Sequence, residues 1–359
     1  MDRDYDLIVI GGGAAGLAAA QAGAAARART LLVAAGEIGG ECTFTGCVPS
    51  KTLIEAAARG ASFTGAAAAV REAVAAIAAT ETADVLTRRG IEVVRGRAAF
   101  TSPREVIAAG RVLRARGFVV ATGSRSALPP VPGLAAVPYL TNEDVFDLTE
   151  LPDSLAVLGG GAVGCELAQA FARLGSQVTL VEAAPRLLPS ADPAAAVVIG
   201  EAFAAEGITV RVGSPVKTVT SIPNGSGCLL QLHDSTQVAA ERLLVAAGRA
   251  PVTDGLGLDA AGIRLNDRGA IAVNGALATT ASGVYAAGDV TGLMPFTHAA
   301  YAMGRIAARN ALRGHRPAER FRTGEFPGRC SPTPRSPRPA SPRNRPPPAS
   351  PAHGSPTCP

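Results

Sequence analysis

The chain has no tryptophan, only 4% aromatic residues, and just two lysines among its 34 basic residues. With so few large rings, the core must be built from aliphatic and alanine side chains, which suits helices laid closely on strands. No apolar run approaches the ~20 residues that a membrane-spanning helix requires. The stretch from Leu7 to Ala26 imitates a secretory signal, but the segment before it is acidic rather than basic. A cytoplasmic protein without membrane contact is therefore expected. The net charge of +5 says little about partners, because residues 331–359 hold four arginines and no acid. The rest of the chain is then nearly neutral, so no basic patch points to nucleic acid. No residue is assigned to a metal.

What the chain does have is glycine in two ordered clusters. Tyr5–Ile10 reads as a buried parallel strand and runs into Gly11-Gly12-Gly13-Ala14-Ala15-Gly16, with residues 14–29 helical beyond it. Leu155–Leu158 runs likewise into Gly159-Gly160-Gly161-Ala162-Val163-Gly164, with a helix expected from Cys165 to Leu174. A strand, a GxGxxG turn and a helix gather backbone N–H groups around a pyrophosphate at the helix N-terminus. Gly11, Gly13 and Gly16 and then Gly159, Gly161 and Gly164 are the candidate binding positions. After the second unit, Gln177–Val181 ends in Glu182, an acid placed to accept from an adenosine ribose 2′-OH and to repel a 2′-phosphate. The matching strand of the first unit, Thr30–Val33, is followed by Ala34 instead, and Glu37 could substitute only if the turn folds it back.

Between the two units stands GGECTFTGCVPSK, with four residues separating Cys42 from Cys47. A disulfide across so short a loop closes easily but is too local to staple a fold. A helix is expected over Pro49–Arg59, with Pro49 in the first turn, where its missing N–H is harmless. Cys47 then lies at the positive end of the helix dipole, which lowers a thiol pKa and favours a reactive thiolate. The alternative is a pair of buried, reduced cysteines without chemistry. Residues 64–88 read as one long alanine-rich helix. Cys165 and Cys228 read as core residues, and Asn224-Gly225-Ser226-Gly227 as the turn of a small meander.

Together these motifs resemble the class I pyridine nucleotide–disulfide oxidoreductases, the group of dihydrolipoamide dehydrogenase, glutathione reductase and mercuric reductase, over residues 4 to about 322. The resemblance implies an α/β fold of two Rossmann-like domains, one for FAD and one for NAD, the second inserted in the first. The boundaries it suggests are 1–150 and 271–321 for the FAD domain and 151–270 for the NAD(P) domain. It implies that Cys47 faces the flavin, that Cys42 exchanges with substrate, and that Lys51, paired with Glu166, lies near the flavin. Thr122 and Gly123 match the strand closing over FAD, Gly248 lies in the AxGRxP turn, and Asp289 matches the acid that binds the ribityl chain. In that turn, Val252 stands where an Asn is usual. His298 opens the last helix and reads as structural. The cofactors implied are FAD and NAD(P)H, with NADH favoured by Glu182. The implied partner is a small-molecule disulfide or related thiol-reactive substrate. A flavin-only NADH oxidase or quinone reductase, and an inactive dinucleotide-binding protein, are the competing readings.

The family's third domain, a homodimer interface that also supplies catalytic groups to the neighbouring subunit, is expected to be missing here. Residues 322–359 are instead expected to form a disordered Pro/Arg-rich tail, with eleven prolines in 331–359. Back-translating Glu325 to Pro337 and shifting the frame by one base permits Ile/Val-Pro-Trp-x-Val-Phe-Thr-Asp-Pro-Glu-Val-Ala. That is similar to the opening of the family's interface domain, so a frameshift near residues 320–326 is expected to account for the tail.

Overall fold

The computed structural model describes residues 4–222, 227–313 and 319–325. The chain begins with β1 (Tyr5–Ile10), α1 (Ala14–Ala25) and β2 (Thr30–Ala34). Four helices follow: α2 (Gly40–Phe44), α3 (Cys47–Ala58), α4 (Phe63–Ala78) and α5 (Ala83–Arg88). Then come β3 (Ile91–Arg95), β4 (Ala98–Ser102), β5 (Glu105–Ala108), β6 (Arg111–Val120) and β7 (Ser124–Ser126). Strands β3, β2, β1 and β6 lie side by side in that order and run parallel, and β5 and β4 extend the sheet antiparallel from β6. A parallel strand covered on both faces reads as a continuous apolar run, as β1 and β2 do. Leu7, Ile8, Val9, Leu31 and Leu32 have no exposed surface, and each contributes about 1.5–3 kcal/mol by leaving water.

The second half repeats the plan. β8 (Ser154–Leu158), α6 (Ala162–Leu174) and β9 (Gln177–Val181) are followed by α7 (Pro193–Ala205) and β10 (Thr209–Arg211). A three-stranded antiparallel meander follows, β11 (Val216–Ser221), β12 (Cys228–Leu232) and β13 (Gln237–Ala240). β14 (Arg242–Val245) then returns beside β8 in a parallel sheet of order β10-β9-β8-β14. β15 (Arg249–Pro251) pairs antiparallel with β7 and ties the two halves together. After α8 (Leu258–Ala261), β16 (Val284–Ala286) pairs with β6, so the chain re-enters the first sheet. The fold is therefore α/β, with one Rossmann-like unit inserted in another.

The last helix, α9 (Thr297–Arg313), packs on α1 through small side chains. A Cβ on Gly304 would lie 2.0 Å from the Ala15 carbonyl oxygen, so the two backbones approach as only glycine permits. This close approach fixes where the first residue of α9 sits.

Several expectations need correction. The helix expected over residues 64–88 is two helices, broken at 79–82, where the Thr82 hydroxyl accepts from the Val85 N–H to start α5. The span Phe63–Arg88 is long and apolar enough, by length and composition alone, to cross a membrane, with a mean hydropathy of 1.2, contrary to the first reading. The break leaves α4 with 16 residues, and its Ala66 and Val70 pack with Leu53 of α3. α1 ends at Ala25 rather than residue 29, α3 starts at Cys47 rather than Pro49, and α6 starts at Ala162. Leu256, Leu258, Ala261 and Ile263 pack in the core of the first sheet. Of the tail, Thr323–Glu325 forms a short 3-10 turn. The tail from residue 326 and most of the turn at 224–227 lie outside the described residues.

Candidate active site

Both glycine turns have the same geometry for the same steric reasons. Gly11 and Gly159 adopt φ of +114° and +116°, where an added Cβ would lie 2.2 Å from Ala121 O and 2.4 Å from Ala246 O. A Cβ on Gly16 would lie 1.8 Å from Gly11 O, and one on Gly164 would lie 1.9 Å from Gly159 O. Gly13 and Gly161, at the helix starts, face open space, with no atom within 4 Å of a Cβ position. The third glycine thus packs helix on strand, while the second leaves room at the N–H groups of the first helical turn.

Beside the first turn, α2 carries Cys42 and α3 begins at Cys47, both as free thiols. The Cys42 thiol hydrogen-bonds to Cys47, and this bond chiefly lowers Cys47 to about 6 against the opposing effect of burial. Thr297 and the Lys51 cation lower it further. The same bond, with burial, pushes Cys42 far above the ordinary thiol range. The two titrate as a pair: one holds the proton while the other carries the charge. Lys51, one turn further along α3, places Nζ 2.6 Å from Glu166 Oε2 on α6, and the Glu166 side chain is only 6% exposed. This contact joins the two units next to the cysteines.

A second polar chain runs along the same space. Arg249 of β15 pairs with Glu41 and donates to Ser124 Oγ at 2.8 Å, and Ser124 donates to Asp289 Oδ2 at 2.7 Å. Asn142 Nδ2 donates to Glu41 Oε1 at 2.8 Å. Burial raises the Glu41 carboxyl above its usual range, opposed by Arg249 and reinforced by Asp289. Thr122 Oγ1 donates to the Val252 carbonyl at 2.7 Å, so it is the backbone of Val252 that ties the AxGRxP turn to the closing strand.

A cavity of about 1040 Å³ brings these groups together. Its walls include Gly11 and Gly13, Cys42 and Cys47, Lys51 and Glu166, Thr122 and Gly123, and Asp289. Gly16 lies beneath its turn, and Gly159, Gly161, Gly164, Glu182 and Gly248 lie off this cavity. At the second turn, Glu182 accepts from the Gly160 N–H at 2.5 Å and from Ala184 at 2.6 Å. In the first unit, Ala34 is fully buried, and Glu37 sits at the cavity rim with Arg95 3.3 Å away. Sequence reasoning missed Thr297, Glu41 and Asn142. An acid immediately before Cys42 was the one available signal for Glu41.

The cavity suits FAD. It lies at the upper end of ligand-pocket volumes. Its floor is the glycine turn, where Gly13 leaves the cradle of N–H groups clear for a pyrophosphate. Its polar wall offers Asp289 to hydroxyl donors and Lys51 to negative charge.

The family model for pyridine nucleotide-disulphide oxidoreductases matches residues 5–304. The dihydrolipoyl dehydrogenase of Thermus scotoductus is 38% identical over 334 residues, covering 86% of this chain and 71% of that protein. The mercuric reductase of Bacillus cereus is 34% identical over 329 residues, and the match covers 87% of this chain but only 52% of the reductase. The chain thus spans about half the length of that relative. Among solved structures, the HOCl-induced flavoprotein disulfide reductase RclA from Escherichia coli superposes with a TM-score of 0.82 at 32% identity, covering 88% of this chain and 72% of its own. The doubled glycine turns, the cysteine pair between them and these matches lead to one conclusion: the chain belongs to the pyridine nucleotide-disulphide oxidoreductase family of FAD-binding flavoproteins.

Proposed function

We propose that this chain is an NADH-dependent flavoprotein disulfide reductase, with Cys42 and Cys47 as its redox pair and a small disulfide or mercuric-type compound as its substrate. The observation that carries the reading is the cysteine pair itself, both sulfurs within reach of the one Thr297 hydroxyl on the wall of a dinucleotide-sized cavity. When bound, FAD supplies the two-electron carrier between the reduced pyridine nucleotide and the cysteines. Gly11, Gly13 and Gly16 with the α1 N-terminus would hold its pyrophosphate, Thr122 and Gly123 would close over it, and Asp289 would accept from its ribityl hydroxyls. Gly159, Gly161 and Gly164 would hold NADH, and Gly248 would shape the turn that ties the two halves. Glu182 favours a nucleotide with a free ribose 2′-OH over a 2′-phosphate.

The exchange half of the reaction belongs to the chain's own sulfurs. Cys42 hands its proton to Cys47 and, as the thiolate, attacks one sulfur of a substrate disulfide; a mixed disulfide forms and the departing thiolate takes the proton from Cys47. The Cys47 thiolate then attacks Cys42 Sγ, closing the Cys42–Cys47 disulfide and expelling the second substrate thiolate, which takes a proton from water. One disulfide is reduced to two thiols, and the cysteine pair is oxidised by two electrons. Lys51, held by Glu166, favours the thiolate on Cys47. Lys51 would also stabilise negative charge on a bound cofactor.

The test uses the oxidised, FAD-loaded protein under anaerobic conditions. One equivalent of NADH should yield two alkylatable thiols, at Cys42 and Cys47. NADH oxidation without new thiols would replace this reading with a flavin-only oxidase, and no oxidation at all with an inactive binding protein.

A further inference from the structure

Thr297 is the first residue of α9, and the close packing of α9 on α1 brings its hydroxyl to the cysteine pair from 250 residues away in sequence. Oγ1 lies 3.1 Å from Cys47 Sγ and 3.4 Å from Cys42 Sγ, so one hydroxyl spans both sulfurs. A threonine hydroxyl has a single O–H to donate and lone pairs to accept, and that hydrogen rotates about the C–O bond without moving a heavy atom. A thiolate only accepts, so the O–H points to whichever sulfur is charged.

We propose that Thr297 is a positioning residue for the redox pair, a shared donor that supports the negative charge on Cys47 at rest and on Cys42 during exchange. The inference rests on reading Cys42 and Cys47 as that pair. The surrounding charges do not provide this service evenly. Lys51 favours charge on Cys47, and Glu166, its partner, opposes it. Glu81, from the break between α4 and α5, opposes charge on Cys42. Glu41 and Arg249 are engaged with each other further along the cavity, Asp289 is engaged with Ser124, and His298 lines the same wall. Of these groups, Thr297 alone makes a hydrogen bond to each sulfur and favours the thiolate on each.

The experiment is pH-resolved iodoacetamide labelling of the reduced, FAD-loaded protein, with Cys42 and Cys47 quantified separately by peptide mass spectrometry. The wild-type protein should label at Cys47 with a midpoint of about 6. Thr297→Val keeps the shape and removes the donor; it should raise that midpoint by about one unit, a roughly tenfold loss of thiolate at pH values below it. Thr297→Ser should restore the wild-type midpoint, and Thr297→Ala removes the donor without bulk if Val disturbs α9. An unchanged midpoint in the Val and Ala variants, or a Ser variant that behaves like Val, overturns the inference while leaving the redox pair standing. A wild-type protein in which neither cysteine labels with a depressed midpoint overturns the redox-pair reading, and the inference with it.

Discussion

The two nucleotide units share a turn and differ at one strand end. Their glycines superimpose in role, with nearly the same φ at Gly11 and Gly159 and nearly the same forbidden approach behind Gly16 and Gly164. At the end of the second strand, however, Ala34 buries a methyl against Gly12, whereas Glu182 presents a carboxylate to Gly160 and Ala184. Backbone sterics make the pyrophosphate cradle, and they leave the next residue free to vary. The grip on the adenosine half is thus a side-chain property, present in one unit and reduced in the other to Glu37 at the rim.

The sharpest way to separate the units is to break each turn alone. Gly16→Ala should abolish FAD retention, seen as loss of the yellow flavin spectrum. Gly164→Ala should leave the protein yellow while abolishing its reduction by NADH, because a Cβ 1.9 Å from a carbonyl oxygen cannot be accommodated. Reactive cysteines also distinguish the units. Cys47 should label about tenfold more slowly at pH 5 than at pH 7, since its pKa is depressed and the thiolate is lost as pH falls through about 6. The buried Cys165 and Cys228 should stay unlabelled across that range, with burial raising Cys228 to about 11.

The bridge between the units offers a smaller effect. Lys51→Ala leaves the Glu166 carboxylate buried without this cation. Because Lys51 is half exposed, the loss should be about 1–2 kcal/mol rather than the full cost of breaking a buried pair, read from the shift in a denaturant unfolding curve. At the strand ends, Glu182→Ala should reduce the preference for NADH over NADPH by several-fold, at about 1 kcal/mol for the lost acceptor. Ala34→Glu should tighten FAD by a similar or smaller factor, measured by equilibrium dialysis. If Ala34→Glu changes nothing, Glu37 or the cradle itself already carries the adenosine.

Much of this was legible in the chain because local rules govern it. The strands β1 and β9, the glycine turns and the Cys47 helix start follow from apolar runs, small residues and proline placement within a few positions of each other. The break between α4 and α5 was not legible, because Thr80-Glu81-Thr82 lies within an alanine-rich run and draws its meaning from Glu81 accepting from the distant Thr43 at 2.9 Å. Glu41 and Arg249, 208 residues apart, meet only because β15 pairs with β7.

By itself, then, the sequence determined two dinucleotide cradles, a cysteine pair at a helix start and an acid on one strand end, since each depends on backbone conformations that neighbouring residues dictate. Tertiary structure decided which distant groups stand beside the two sulfurs. Thr297 of α9 reaches both sulfurs and Glu166 of α6 reaches Lys51 of α3, and only close packing brings hydrogen-bonding and ionic partners so distant in sequence that near.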